Sequence, residues 1–198
     1  MKDTSVIIVS PDKSTLIFKS HIMNKKNLLK TYLITWYGPF HSIEETEEYQ
    51  RQQDICSCLY LLQGKKPNAK LCSYYCGKTK KRTVPNRLKD KDHPINEILN
   101  CRSIWIGAFE NYYKEEDIDI AEKMFIYLLA IRVDVMQLIN DRCRYFSAQD
   151  HNMFLISRWY NPKRYKQPEH SIKLIIPETV AYFAETDEVK IARRLHNL

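Results

Sequence analysis

A chain of 198 residues, 44% of them hydrophobic, with only 4 glycines and 8 prolines, has enough apolar matter for one domain with additions or two small ones, and is no low-complexity polymer. Its longest unbroken apolar run, residues 124–131, is too short to cross a bilayer, and the N-terminal stretch lacks a signal peptide's cleavage pattern, so a soluble, cytoplasmic protein with no membrane partner is expected. A net charge of +7 suits a polyanionic partner without requiring one.

In chain order, "SVIIVSPDKSTLIFKS" (5–20) predicts a hairpin, two β-rich runs about a Pro-Asp turn. "TYLITWYG" (31–38) predicts a strand stopped by Gly38-Pro39. Ser42 and Glu45 are spaced as a capping box in front of the polar helix "EETEEYQRQQ". "CSCLYLLQ" and "KLCSYYCG" read as two strands about the loop "GKKPNA". Thr83 and Pro85 open a short helix, and Pro94 another. "RSIWIGAF" (102–109) is a strand. Residues 117–140 hold the longest helical pattern, which the β-branched "IRVDV" breaks or bends. The tail gives the apolar runs "IKLIIP" and "TVAYFA" and a terminal helix, "DEVKIARRL". The fold class expected is α+β: a small mixed or antiparallel sheet flanked by helices. Residues 56–145 form the central module, 1–55 an N-terminal addition and 146–198 a C-terminal extension.

Charge is segregated along the chain. From Lys65 to Lys91 there are ten Lys or Arg against one acid, Asp90, while acids gather in "EETEE" (44–48) and "EEDID" (115–119). Such a pattern reads either as a directional field for a phosphate backbone or as a solvated lysine-rich loop. Lys80, Lys81 and Arg82 are candidate nucleic-acid contacts, as are Arg158, Lys163 and Arg164 in the aromatic-basic tail, where Trp159, Tyr160 and Tyr165 either stack on bases or pack inward. With no export signal, the six cysteines are not expected to form disulfides. Cys56, Cys58, Cys72 and Cys76 lack the usual paired C-x2-C zinc spacing and read as small hydrophobes on one side of a hairpin, with a zinc-stabilised module as the alternative.

The central module offers phenols, a Lys, an Arg and a His close together, and a carboxylate in a later helix. Cutting a phosphodiester needs such parts: a way to generate the nucleophile, positive charge for the phosphate, and an oxygen ligand for a divalent cation that keeps most of its water. "GKT" at 77–79 is not a phosphate loop, because Cys72 stands where that loop needs a glycine and Pro85 interrupts the helix.

"CLY" ending at Tyr60 and "YCG" from Tyr75 to Gly77 resemble the two short motifs of the GIY-YIG nuclease family. Arg87, His93, the strand "IWIGAF", Glu122 and Asn140 follow in the family's order, and the similarity covers about residues 56–145. Cys58 stands where the first motif has glycine, Cys76 replaces the second motif's isoleucine, and fourteen residues between the tyrosines imply a lengthened hairpin loop. The resemblance implies a metal-dependent DNA endonuclease using Mg2+ or Mn2+, either a sequence-specific restriction-like enzyme or a mobile-element or repair nuclease, and a homodimer if its target is palindromic. It implies that Tyr60 orients or deprotonates water with help from His93, that Tyr75 hydrogen-bonds near the scissile phosphate, and that Arg87 stabilises charge on phosphorus. Glu122 would hold the metal. Asn140 would brace the site, with Asn152 and Asn161 as alternatives. Lys78 either tunes a phenol or touches a phosphate, and nearby cations would lower a phenol's pKa. The competing reading is a nucleic-acid-binding protein that retains the fold and does not cut.

Overall fold

The computed structural model describes residues 7–9, 15–18, 28–98, 103–111, 113–131, 137–141, 146, 149–162 and 176–192. Among the described residues there are ten strands: β1 (Ile7–Val9), β2 (Thr15–Phe18), β3 (Leu28–Phe40), β4 (Cys58–Gly64), β5 (Ser73–Thr79), β6 (Ser103–Phe109), β7 (Gln137–Leu138), β8 (Asn152–Tyr160), β9 (Thr179–Phe183) and β10 (Glu188–Ala192). The helices are α1 (Ile43–Gln53), α2 (Val84–Leu88) and α3 (Glu115–Ala130), with a 3-10 turn at Pro94–Glu97. Cys101, Cys143, Lys163, Arg164, Tyr165 and most of "IKLIIP" lie outside the described residues.

The architecture is α+β. One mixed sheet runs β10-β9-β8-β3-β6-β4-β5-β7 and curls strongly into a half-barrel, with the β1–β2 hairpin attached to the start of β3. It is larger than the small sheet expected, and it does not stop at residues 56 and 145. β3 pairs parallel with β8 on one edge and antiparallel with β6 on the other, so segments from all three stretches of the chain share one ladder.

Side-chain alternation divides the core into two faces. Tyr32, Ile34, Trp36, Leu59, Leu61, Cys76 and Trp105 face α3, whose Ile118, Ala121, Phe125, Leu128 and Leu129 recur at helical spacing. Phe40, Cys58, Tyr60, Leu62, Ile104 and Ile106 face the other way, onto Val84 and Leu88 of α2, with Tyr49 of α1 packed alongside. Buried Gln50 ties these helices together: its amide donates to Ile55 O at 2.8 Å and its carbonyl accepts from Val84 N at 2.8 Å. Capping chemistry appears where the sequence predicts it. Ser42 Oγ accepts from Glu45 N at 3.1 Å, Glu45 reaches back to His41 N, and Thr83 caps α2.

Several expectations are corrected. β3 continues through Gly38-Pro39, because by then β8 has ended and the register with β6 shifts between Tyr37 and Phe40, a position that tolerates a residue without an N–H. α3 ends at Ala130, and Gln137–Leu138 pairs with β5 instead of extending the helix. "DEVKIARRL" contributes a strand: the chain turns through Asp187 in left-handed backbone (φ 53°), and Glu188–Ala192 finds β9 as a partner. Cys58 and Cys76 lie on opposite faces of their hairpin, because Cys58 pairs with Thr79 and Cys76 with Leu61, an odd offset.

Candidate active site

The hairpin register builds the first half of the site. Tyr60 pairs with Gly77 and Leu62 with Tyr75, so both phenols stand on the α2 face. The Tyr60 ring lies across Gly77, where an added Cβ would sit 2.4 Å from both Cζ and Oη; the glycine is there for this close approach. The Tyr60 and Tyr75 ring centroids are 6.0 Å apart. His93 Nε2 is 2.8 Å from Tyr60 Oη, while His93 Nδ1 accepts from Ile95 N at 3.0 Å and so caps the 3-10 turn. The Nδ1 contact puts the neutral ring's proton on Nε2. Burial and the Arg87 charge lower the His93 pKa to about 4.

The second half arrives from the other face. α3 packs behind β5, and Glu122 meets Lys78 across it, Nζ to Oε2 at 2.7 Å. Asp119, one turn earlier, binds the same ammonium at 2.8 Å and that of Lys80 at 2.8 Å. β7 covers only the first two residues of β5, and beyond it Asn140 continues along the edge. Its Oδ1 accepts from Cys76 N at 3.0 Å and its Nδ2 donates to Cys76 O at 2.7 Å, a side chain standing in for a strand. Past Asn140 no strand among the described residues pairs with that edge of β5, and there the two faces meet in one cavity of about 360 Å³ lined by Tyr60, Tyr75, Lys78, Arg87, Glu122 and Asn140 among others. Arg87 projects from α2 with Asp90 on its guanidinium at 2.5 Å.

Electrostatics differ from expectation at the phenols. Burial raises the pKa of Tyr60 well above the ordinary tyrosine value and that of Tyr75 above it as well; the lowering by Arg87 is outweighed. The cations do not make these phenols bases at neutral pH. Lys78 is held as an ammonium by its two carboxylates. Burial pushes the Glu122 carboxyl up against the pull of Lys78.

The cavity thus gathers six of the expected residues, with His93 directly behind Tyr60. Asn152 is elsewhere, accepting from Ala184 N at 2.8 Å, and Asn161 does not line the cavity. Lys80, Lys81 and Arg82 lie beside the site, and the acids distant in sequence fold back onto them: Asp119 on Lys80, Glu115 on Lys81, Asp90 on Arg82. The basic stretch is therefore interleaved with acid rather than segregated from it. Arg158 pairs with Glu110 at 3.1 Å in a separate groove lined by Tyr37, Tyr49 and Tyr160. Asp90 and Asp119, counted in the sequence only as members of the charge pattern, are the carboxylates that hold Arg87 and Lys78. Their spacing from Arg87 and Glu122, three residues in each case, was the available signal.

No group of three or more His, Cys, Asp or Glu among the described residues is arranged to hold a metal ion. A hard cation that keeps its water needs less. The Glu122 carboxylate, with its side chain 13% exposed, lines a polar cavity and fits Mg2+ or Mn2+ as a single oxygen ligand. No helix among the described residues is long and apolar enough to cross a membrane. Neither a protein-family model, a curated protein nor a solved structure matches this chain.

Proposed function

We propose that this protein hydrolyses phosphodiester bonds of DNA with a divalent cation, as an endonuclease of the GIY-YIG type. One observation carries the reading: two phenols, a guanidinium, a carboxylate and an amide from five separate segments converge on one cavity at the edge of β5. A DNA strand laid along that edge brings a phosphate to Arg87, whose guanidinium, aimed by Asp90, meets the charge that builds on the phosphoryl oxygens in the transition state. Tyr75 offers a hydrogen bond to the same group, and Asn140 fixes the strand from which Tyr75 projects. Glu122 would hold Mg2+ or Mn2+, which when bound supplies Lewis-acid stabilisation of a phosphate oxygen. Within this reading the chain works in the cytoplasm and, where its target is a palindromic sequence like that of a restriction enzyme, acts as a homodimer.

Incubating supercoiled plasmid and mixed linear DNA with Mg2+ tests the reading. The wild type should nick or cut, chelation should abolish the products, and Glu122→Ala and Arg87→Ala should each lower the rate by about 10²-fold or more. Equal rates for wild type and Glu122→Ala would reject it. A second reading, a DNA-binding protein that does not cut, draws on the ion pair between Lys78 and Glu122, because the carboxylate already carries an internal cation. It predicts salt-sensitive binding with no products at any Mg2+ or Mn2+ concentration.

A further inference from the structure

One ammonium of β5 serves two carboxylates of α3. Asp119 and Glu122, three residues apart on one helix face, both reach Lys78, whose Nζ is 2.8 Å from Asp119 Oδ1 and 2.7 Å from Glu122 Oε2. The two contacts are not alike. Lys78 donates a hydrogen bond to Glu122 Oε2. Asp119 Oδ1 is buried and accepts no hydrogen bond among the described residues, although the same ammonium stands beside it. Asp119 Oδ2 accepts from Lys80 at 2.8 Å, which fixes the carboxylate in place. The positions also differ in depth: the Glu122 side chain is 13% exposed, those of Lys78 and Asp119 30% and 34%. Turning from Glu122 to Asp119 costs Lys78 one hydrogen bond and returns one. It also carries the charge toward solvent, where holding it dry is less costly.

We infer that Lys78 is an internal stand-in for the divalent cation on Glu122, and that Asp119 is the seat its ammonium takes when the ion binds. The inference rests on the nuclease reading for the ion and on the side-chain contacts for the exchange. With Lys78 on Glu122 Oε2, an ion bound to that carboxylate meets a positive charge within a few ångströms, in a half-buried site that screens it poorly. Withdrawal of the ammonium to Asp119 Oδ1 removes that contact and satisfies the acceptor now left over. Until the ion arrives, Lys78 keeps the buried Glu122 carboxylate paired, and removing either partner alone would leave a charge uncompensated. The protein without DNA therefore binds the ion weakly. A phosphate entering the cavity adds negative charge that favours the ion over the ammonium on Glu122, so ion and DNA each tighten the other's binding.

Mn2+ titrations of the full chain without DNA, read by the electron paramagnetic resonance of unbound Mn2+, test the exchange. Lys78→Met and Lys78→Gln both remove the charge, the second keeping a donor for Glu122, so that the result does not hang on one variant folding. Each should lower the Kd for Mn2+ by about 10-fold or more. Lys78→Arg, which restores the charge, should bind no tighter than wild type, and adding Glu122→Gln to either neutral variant should abolish the gain. Asp119→Asn should weaken Mn2+ binding by about 3-fold or more on its own, but by less than about 2-fold beside Lys78→Met, because it acts through the ammonium. Equal Kd values for wild type and the neutral variants would overturn the inference, as would a gain that survives Glu122→Gln. Equal losses from Asp119→Asn in both backgrounds would make Asp119 a ligand of the ion and not the seat of Lys78. DNA cleavage separates the two readings. If the wild type cuts with Mg2+ while the neutral variants bind Mn2+ no tighter, the exchange fails and the nuclease reading stands. If those variants gain Glu122-dependent Mn2+ binding and no protein cuts, the nuclease reading fails and the exchange stands.

Discussion

The tightest constraint in the molecule is the contact between Gly77 and the Tyr60 ring. A methyl group at position 77 would need space already held by Cζ and Oη, and the ring has nowhere to retreat because His93 and Tyr75 flank it. Gly77→Ala is expected to destabilise the fold by about 1–3 kcal/mol, the range for overpacking, and to displace Tyr60 from His93. Urea unfolding measures the first effect and the His93 nitrogen shifts the second. His93 also links stability to pH. Its folded pKa of about 4 lies below the unfolded value near 6.5, so the unfolded chain binds the extra proton between those limits and stability falls as pH drops through that window. Glu122, raised by burial, contributes with the opposite sign. The difference between wild type and His93→Gln isolates the histidine. Unfolding free energies at pH 6.5 and pH 4 should drop by about 2–3 kcal/mol more in the wild type than in the variant. An equal drop in both would remove His93 from the account.

At the scale of elements, the site depends on how the edge of β5 ends. β7 is two residues long, and Asn140 supplies the remaining pairing with both hydrogen-bonding groups of its amide. Asn140→Ala leaves the N–H and C=O of Cys76 without that partner in a buried position, at a cost of about 1–3 kcal/mol. It should also speed hydrogen exchange at the Cys76 amide, which NMR can follow residue by residue. This asparagine was identifiable from the order of motifs, but its role was not: a side chain that completes a strand has no sequence signature apart from the strand it completes. The paired faces of the hairpin were legible in the same partial way. Tyr60, Tyr75 and Gly77 follow from a short-range antiparallel register. The expectation for Cys58 and Cys76 failed because face assignment within one strand does not carry across to the next until the register is known.

For the whole molecule, the decisive feature is β3. It lies inside the sheet, with β8 on one side and β6 on the other, so the segment 56–145 taken alone would expose one long edge of β6 and the apolar side chains that Tyr32, Ile34 and Trp36 cover. A fragment of residues 56–145 is expected to lack a cooperative thermal transition by circular dichroism, whereas the full chain should show one. The fold also sets the charge pattern. Asp119 engages Lys78 and Lys80, so Asp119→Asn should free positive charge, tighten DNA binding several-fold at low salt, and steepen the slope of log K against log salt by roughly 1. Fluorescence anisotropy over a salt series measures both. By itself the sequence determined what depends on neighbours a few residues apart: alternation in β4 and β5, the caps of α1 and α2, the helical spacing of α3, and the order of the site residues. Only tertiary structure decided that the last segment is a strand, that β3 sits within the sheet, that acids from 115–119 lie on the basic stretch, and that Glu122 meets the tyrosines around the edge of β5. These are long-range pairings, and a pairing partner far along the chain leaves no mark on local spacing.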